Sequence, residues 1–208
     1  MKIIFFACAT IFLTTNLHAQ VVTTATLSGK DNDIKLGQCH YKLHDAFNGE
    51  VRLSTRSKPQ IANYSGPLMR NLERSEVTVQ MWCDSSSAKH IADFSAVKLD
   101  GDIWSMAYEN EAETTDDKIK QSNTTLVVIN GKGWSGAGVT EDQTDGDPHK
   151  RVRSFVFCLP HGGYAVCGRV GAVASLENIR YSAMPSIKKL LESIEFVDDA
   201  VGNSTPYK

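Results

Sequence analysis

A serine between two glycines is the first place where this 208-residue chain could do chemistry. Gly133-Trp-Ser-Gly-Ala137 is close to the Gly-x-Ser-x-Gly turn, which presents a nucleophilic serine in many hydrolases. His149 and His161 lie downstream, where one could act as the base while a nearby aspartate orients it. The turn needs a helix directly after the serine, whereas Ala-Gly-Val-Thr and an acidic stretch follow here. A secreted hydrolase that uses Ser135 is therefore an alternative hypothesis.

The same stretch also matches a nucleotide-binding pattern. Gly131-Lys-Gly-Trp-Ser-Gly136 has the spacing Gly-x-Gly-x-x-Gly after a β-prone run. A dinucleotide site needs a helix next, because its N-terminus holds the pyrophosphate, and the acidic residues that follow would repel phosphate. We therefore interpret these glycines as hairpin residues and predict no cofactor.

Two histidines have a metal-like spacing. His40 and His44 are four residues apart, which would place both on one face of a helix. The alternation of Cys39, Tyr41 and Leu43 favours a strand instead. On a strand the two rings would lie about 13 Å apart, too far to share an ion. We predict surface histidines and no metal.

Residues 140–149 contain no apolar period and are predicted to form an acidic loop. Its acidic residues are Glu141, Asp142, Asp145 and Asp147. They lack the order of an EF-hand calcium loop, so calcium binding and a simply solvated loop both stay open. The preferred hypothesis places Trp134 beside these charges at one end of a sheet. An aromatic anchor next to negative charge is typical of an interface for a basic partner protein.

Four cysteines are expected in the mature chain. Because an even number in an exported protein favours disulfides, and because the chain has no Cys-x-x-Cys, zinc is the less favoured alternative. Gly162-Gly163 lies between two apolar β-prone runs and suits a two-residue hairpin turn. Counting outward from it, Cys158 faces Cys167, and Phe155, Phe157 and Leu159 share the core face. The bridge should then brace the outer face, and Cys39–Cys83 follows by elimination.

Export is predicted from the first 19 residues. Lys2 precedes an apolar run over 3–13, and Ala19 provides a small residue for cleavage. A buried N-terminal strand or helix is the alternative, and the run is too short to span a membrane. We expect a signal peptide over 1–19, one domain over 20–208, and a periplasmic or extracellular location. The net charge of −2 argues against nucleic acid or an anionic membrane surface as the main partner.

The remaining patterns predict strands first and a helix last. Strands are expected at 77–83, at 95–99 and 103–108 around the turn Asp100-Gly101, and at 124–129 before the turn Asn130-Gly131. Apolar residues spaced i, i+3, i+4 and i+7 predict an amphipathic helix over 185–195, and a shorter helix is possible at 67–74. The tail from Asp198 should be loose. The expected fold class is α+β: a meandering antiparallel sheet with a C-terminal amphipathic helix packed on one face and two disulfides.

The last quarter of the chain resembles a known group of domains. Gly163-Tyr-Ala-Val-Cys-Gly-Arg-Val170 and Met184-Pro-Ser-Ile-Lys-Lys-Leu-Leu-Glu-Ser-Ile-Glu-Phe196 are similar to the closing strand and helix of PsbP/Mog1-like α+β domains. Small periplasmic immunity proteins of type VI secretion include domains of this build. The resemblance transfers no functional residues, and it implies a fold that serves as a binding platform.

These patterns favour an exported non-enzymatic binding protein. Its most concrete form is a periplasmic immunity or inhibitor protein that neutralises a secreted effector by occluding its active site. The alternatives are the hydrolase on Ser135 or on a carboxylate pair, and an envelope-associated structural domain. Asn63, Asn123 and Asn203 begin glycosylation sequons, which matter only in a eukaryotic source.

Overall fold

The computed structural model describes residues 24–28, 30–54, 56–69, 76–107 and 122–198. The predicted signal peptide and the tail from residue 199 lie outside these ranges.

An eight-stranded antiparallel sheet forms the centre of the fold. Two meanders, β4–β5–β6 and β9–β10–β11–β12, lie side by side because β6 pairs with β12. β1 extends the first meander by pairing with β4, so the sheet order is β1-β4-β5-β6-β12-β11-β10-β9. The strands are β1 Thr24–Ser28, β4 Glu50–Ser54, β5 Ile61–Gly66, β6 Val77–Ser85, β9 Thr125–Gly131, β10 Trp134–Asp142, β11 Val152–His161 and β12 Tyr164–Ser175. The predicted antiparallel sheet is confirmed.

Smaller elements cover both faces of this sheet. A three-stranded sheet has the order β13-β3-β2, and β7 and β8 form a separate two-stranded hairpin. The bounds are β2 Asp31–Leu36, β3 Cys39–His44, β7 Val97–Asp100, β8 Ile103–Met106, β13 Ile194–Phe196, α1 Ala88–Ser95 and α2 Met184–Glu192, with 3₁₀ turns at Pro148–Lys150 and Leu176–Tyr181.

The predicted hairpin and both disulfides are confirmed. Cys158 pairs directly with Cys167 across β11 and β12, with the turn at Gly162-Gly163, and the two Cα atoms are 4.1 Å apart. The second bridge joins Cys39 of β3 to Cys83 of β6, with 5.5 Å between the Cα atoms. It therefore fastens the three-stranded sheet onto the main sheet.

The main core lies between the large sheet, the three-stranded sheet and α2. Phe155, Phe157 and Leu159 are fully buried in it, as the hairpin register predicts. Ile187 and Leu191 of α2 are buried in the same core. Removing these apolar side chains from water is the dominant stabilising contribution.

A second apolar cluster covers the opposite face of the main sheet. It contains the Cys158–Cys167 bridge, packed with Ile91 of α1, Val97 of β7 and Trp104 of β8. The bridge lies on the face opposite Phe155, Phe157 and Leu159, as the register predicts, but this face is covered by a further layer and is not the outer side, since both cysteines are fully buried. α1 and the β7–β8 hairpin form a third layer over this cluster; the sequence patterns predicted the hairpin, but neither α1 nor the layer.

Several element boundaries also differ from the predictions. The β9–β10 turn is at Lys132-Gly133 rather than Asn130-Gly131, because Gly133 takes the positive φ of 77° that the turn requires. β10 continues to Asp142, so the predicted loop at 140–149 begins three residues later. Residues 67–69 are not helical, and the rest of the possible helix at 67–74 lies outside the described residues.

Candidate functional site

Trp134 belongs to the main core and not to a binding surface. Its side chain is 9% exposed, its ring packs edge-on to Phe196 at 5.6 Å, and its Nε1–H donates to the carbonyl oxygen of Ile194 at 2.9 Å. Trp134 is the first residue of β10 and Asp142 is the last, which separates them by about 26 Å at about 3.3 Å per residue. The predicted juxtaposition of Trp134 with the acidic residues is wrong.

Asp142 is held in a structural ion pair. The Arg153 Nε–H donates to Asp142 Oδ1 at 2.5 Å, and Nη2 donates to Oδ2 at 2.8 Å. Asn123 Nδ2 donates to the same carboxylate at 3.1 Å. These bonds, with that of the Arg153 guanidinium foremost, lower the pKa of the Asp142 carboxyl. Asp142 is thus occupied within the fold.

The other acidic residues of the predicted loop are only partly available. Asp147 accepts from the backbone N–H of His149 at 3.1 Å and lies 3.7 Å from the Lys150 ammonium. Glu141 and Asp145 make no side-chain hydrogen bond or ion pair with the described part of the chain. The local negative charge offered to a basic partner is consequently smaller than the sequence indicates.

The structure does not bring the hydrolase candidates together. Ser135 lies within β10, where its Oγ–H donates to Asn130 Oδ1 at 3.1 Å and its Oγ accepts from Trp104 Nε1 at 2.9 Å. His161 lies on the opposite face of the sheet, stacked on Phe196 with 4.5 Å between ring centroids. A nucleophile and its base must lie within hydrogen-bond reach, and these two are separated by the sheet itself.

His149 is also engaged elsewhere. Its Nδ1 lies 2.5 Å from Glu177 Oε1, and both side chains are exposed. His161 Nε2 lies 2.7 Å from Asp198 Oδ1, so the first residue of the predicted loose tail contacts the sheet. Both histidines therefore lie within hydrogen-bond distance of a carboxylate and not of Ser135.

His40 and His44 lie on strand β3, as predicted. His40 Nε2 is 2.7 Å from Asp33 Oδ1, and His44 Nδ1 is 2.6 Å from Asp31 Oδ1. Within the described ranges, no group of three or more histidine, cysteine or acidic side chains is arranged to hold a metal ion. The two histidine–aspartate pairs instead cover the outer face of the three-stranded sheet. Glu195 lies beside them, and the Lys132 ammonium lowers the pKa of its carboxyl.

The β7–β8 hairpin carries the most unusual surface. Ile103 is 73% exposed and Leu99 is 45% exposed, and both lie at the hairpin tip, defined here as residues 99–103. The stem is anchored: Trp104 is buried in the second cluster and its Nε1–H donates to Ser135. The sequence predicted this hairpin. It did not predict that the stem is buried against the main sheet while the tip is exposed.

Comparison with known proteins does not identify this surface. No protein-family model, curated protein or solved structure matches the chain. Among the described helices, none is long and apolar enough to cross a membrane.

Proposed function

We propose that this chain is an exported non-enzymatic binding protein that contacts a partner protein through the tip of its β7–β8 hairpin. The observation that carries the proposal is the exposure of Ile103 and Leu99 on a hairpin whose stem is buried. Leu99 pairs with Trp104 and Ile103 pairs with Asp100, so the two exposed side chains lie on opposite faces of the tip. A cleft that enclosed the tip would cover both side chains and remove their apolar surface from water, which favours binding.

The stem supports binding because it is preorganised. Val97 and Trp104 are buried in the second cluster, and the Trp104–Ser135 hydrogen bond fixes β8 to the main sheet. Val97 also follows directly from α1, which is capped by Ser87 accepting from the backbone N–H of His90. A tip held in one conformation before binding loses little entropy on association.

The concrete form of the proposal is a periplasmic immunity or inhibitor protein. Its hairpin tip would enter the active-site cleft of a secreted effector or hydrolase and occlude it. The two disulfides fit a chain that matures in an oxidising compartment, after signal-peptide cleavage near Ala19. The likeness of Gly163–Val170 and 184–196 to PsbP/Mog1-like immunity proteins adds to this proposal, and Glu141 and Asp145 would contribute peripheral charge.

Capture and inhibition test the proposal together. The mature chain and its Ile103→Asp variant would be used to capture exported proteins of the source organism, and each captured enzyme would be assayed with and without them. Ile179→Asp is the matched control, because Ile179 is also exposed, at 40%, but lies in the 3₁₀ turn 176–181. We expect Ile103→Asp alone to lose capture and inhibition. Capture by Ile103→Asp at the wild-type level would contradict the proposed surface.

A further inference from the structure

A groove with both polar and apolar lining residues lies on the main sheet beside the third layer. It has a volume of about 480 Å³ and is lined by Thr78, Gln80, Ser154, Val156 and Arg169, among others. Arg169 pairs in register with Val156 on one side and with Gln80 on the other, so the three side chains share a face. Val156 packs against the second cluster, which places the groove next to α1 and the β7–β8 hairpin.

A chain of hydrogen bonds orients Arg169 in this groove. Gln80 Nε2 donates to Asn63 Oδ1 at 3.1 Å, and Arg169 Nε donates to Gln80 Oε1 at 2.9 Å. Both bonds require the same orientation of the Gln80 amide, so the three residues fix one another. The guanidinium is held through Nε, and its two terminal amino groups make no hydrogen bond to any described residue.

Arg169 differs from Arg52 and Arg153 in having no carboxylate partner among the described residues, as do Arg151, which donates to the Gly146 carbonyl oxygen, and Arg180, which lies over the Tyr181 ring. Arg52 and Arg153 each bind a carboxylate, at 2.8 Å from Glu50 and 2.5 Å from Asp142 respectively. Within the described ranges Arg169 forms no ion pair, and the groove around it contains no acidic side chain. The space beside Arg169 at Gly171 is open: a Cβ added at Gly171 would have no heavy atom within 4 Å.

We propose that this groove is a carboxylate-binding site, in which Arg169 binds the side chain of a glutamate or aspartate on an extended peptide. Two parallel N–H···O bonds from one guanidinium match the geometry of a carboxylate. The single cation matches the single charge of a carboxylate better than the double charge of a phosphate. The apolar surface of Val156 would contact the methylene groups of the acidic side chain.

Peptide probes test the site directly. Acetyl-Gly-Glu-Gly-amide would be titrated into the mature chain while the ¹H–¹⁵N signals of the Arg169 side chain and the Gly171 amide are followed. We expect saturable shifts, with binding at least tenfold weaker for acetyl-Gly-Gln-Gly-amide and for inorganic phosphate. Equal binding of the glutamine peptide, no response to the glutamate peptide, or tighter binding of phosphate would each overturn the proposal.

Two variants sharpen the test. Gln80→Glu places a carboxylate of the chain itself against Arg169, so peptide binding should fall at least tenfold while thermal stability is retained or raised. Arg169→Lys keeps the charge but removes the planar fork, and it should also weaken binding. Wild-type affinity in folded Gln80→Glu would overturn the proposal. The groove does not include Leu99 or Ile103, so Ile103→Asp should bind the peptide normally, and the two proposals can fail separately.

Discussion

Replacing Trp134 by alanine distinguishes a core residue from an interface anchor. The side chain is 9% exposed, contacts Phe196 and donates its indole N–H to Ile194. Truncation removes the ring, leaves a cavity and deprives a buried carbonyl oxygen of its donor. An interface anchor would instead be exposed in the free protein, and its loss would cost affinity rather than stability.

The size of the loss follows from those contacts. Truncation of a buried tryptophan to alanine typically costs about 3–5 kcal/mol of unfolding free energy. For a domain of this size, about 1 kcal/mol lowers the melting temperature by about 2–4 °C. Trp134→Ala should therefore lower the melting temperature by about 6–20 °C. Trp134→Phe keeps an apolar ring but loses the hydrogen bond to Ile194, and it should cost about 2 kcal/mol.

Urea and thermal unfolding followed by circular dichroism provide the assay. Ile103→Ser is the control, because Ile103 is 73% exposed and its replacement should change stability by less than about 0.5 kcal/mol. A loss of less than about 1 kcal/mol in Trp134→Ala, together with abolished binding of the partner, would show that Trp134 is an interface anchor and not a core residue.

Two further predictions concern the strands around this core. The pairing with Arg153 lowers the pKa of Asp142 in the folded state. The pairing therefore stabilises the fold at pH values above the unfolded pKa of about 3.9, and this stabilisation is lost as the pH falls through the lower pKa of the folded state. The stability difference between wild type and Asp142→Asn, measured by urea unfolding, should thus be largest near neutral pH and shrink as the pH falls below the unfolded pKa of about 3.9; a constant difference would contradict the pairing. Gly138→Ala should cost about 1–3 kcal/mol, because its Cβ would overlap the Val156 carbonyl oxygen. Gly163→Ala, where a Cβ meets open space, should change the unfolding free energy by less than about 0.5 kcal/mol, and equal losses in both variants would contradict this packing.

The β11–β12 hairpin could be predicted because its information is local. Gly162-Gly163 fixes the turn, and the two-residue period of a strand then fixes which side chains face each other. The bridge between Cys158 and Cys167 follows from that register alone. The Cys39–Cys83 bridge then followed by elimination, although it joins two different sheets.

The position of Trp134 could not be predicted, because it depends on long-range packing. Its hydrogen-bond acceptor, Ile194, belongs to a strand of three residues that directly follows α2 and pairs with β3. No local pattern distinguishes so short a strand from the end of a helix. Predicting the turn after β9 at Asn130-Gly131 instead of Lys132-Gly133 also shortened the next strand. Residues 140–142, which end β10, were therefore assigned to the acidic loop.

The third layer and the groove are also non-local. α1 buries only Ile91 and Ser95, so it has too few apolar positions for a helical period to stand out, although Ser87 is a typical N-cap residue. The Asn63–Gln80–Arg169 chain exists because β6 pairs with β12, which brings together residues 89 positions apart. The separation of such partners along the chain hides them from motif searches.

The affinity of the captured partner for Ile103→Asp shows whether the hairpin tip is the binding surface. Isothermal titration calorimetry would compare wild type, Ile103→Asp and Ile179→Asp, after circular dichroism has shown that all three are folded. The proposed hairpin interface predicts at least a tenfold rise in Kd for Ile103→Asp, since a charge would be buried at the centre of the contact, and no change for Ile179→Asp. Equal Kd values for all three proteins would contradict it.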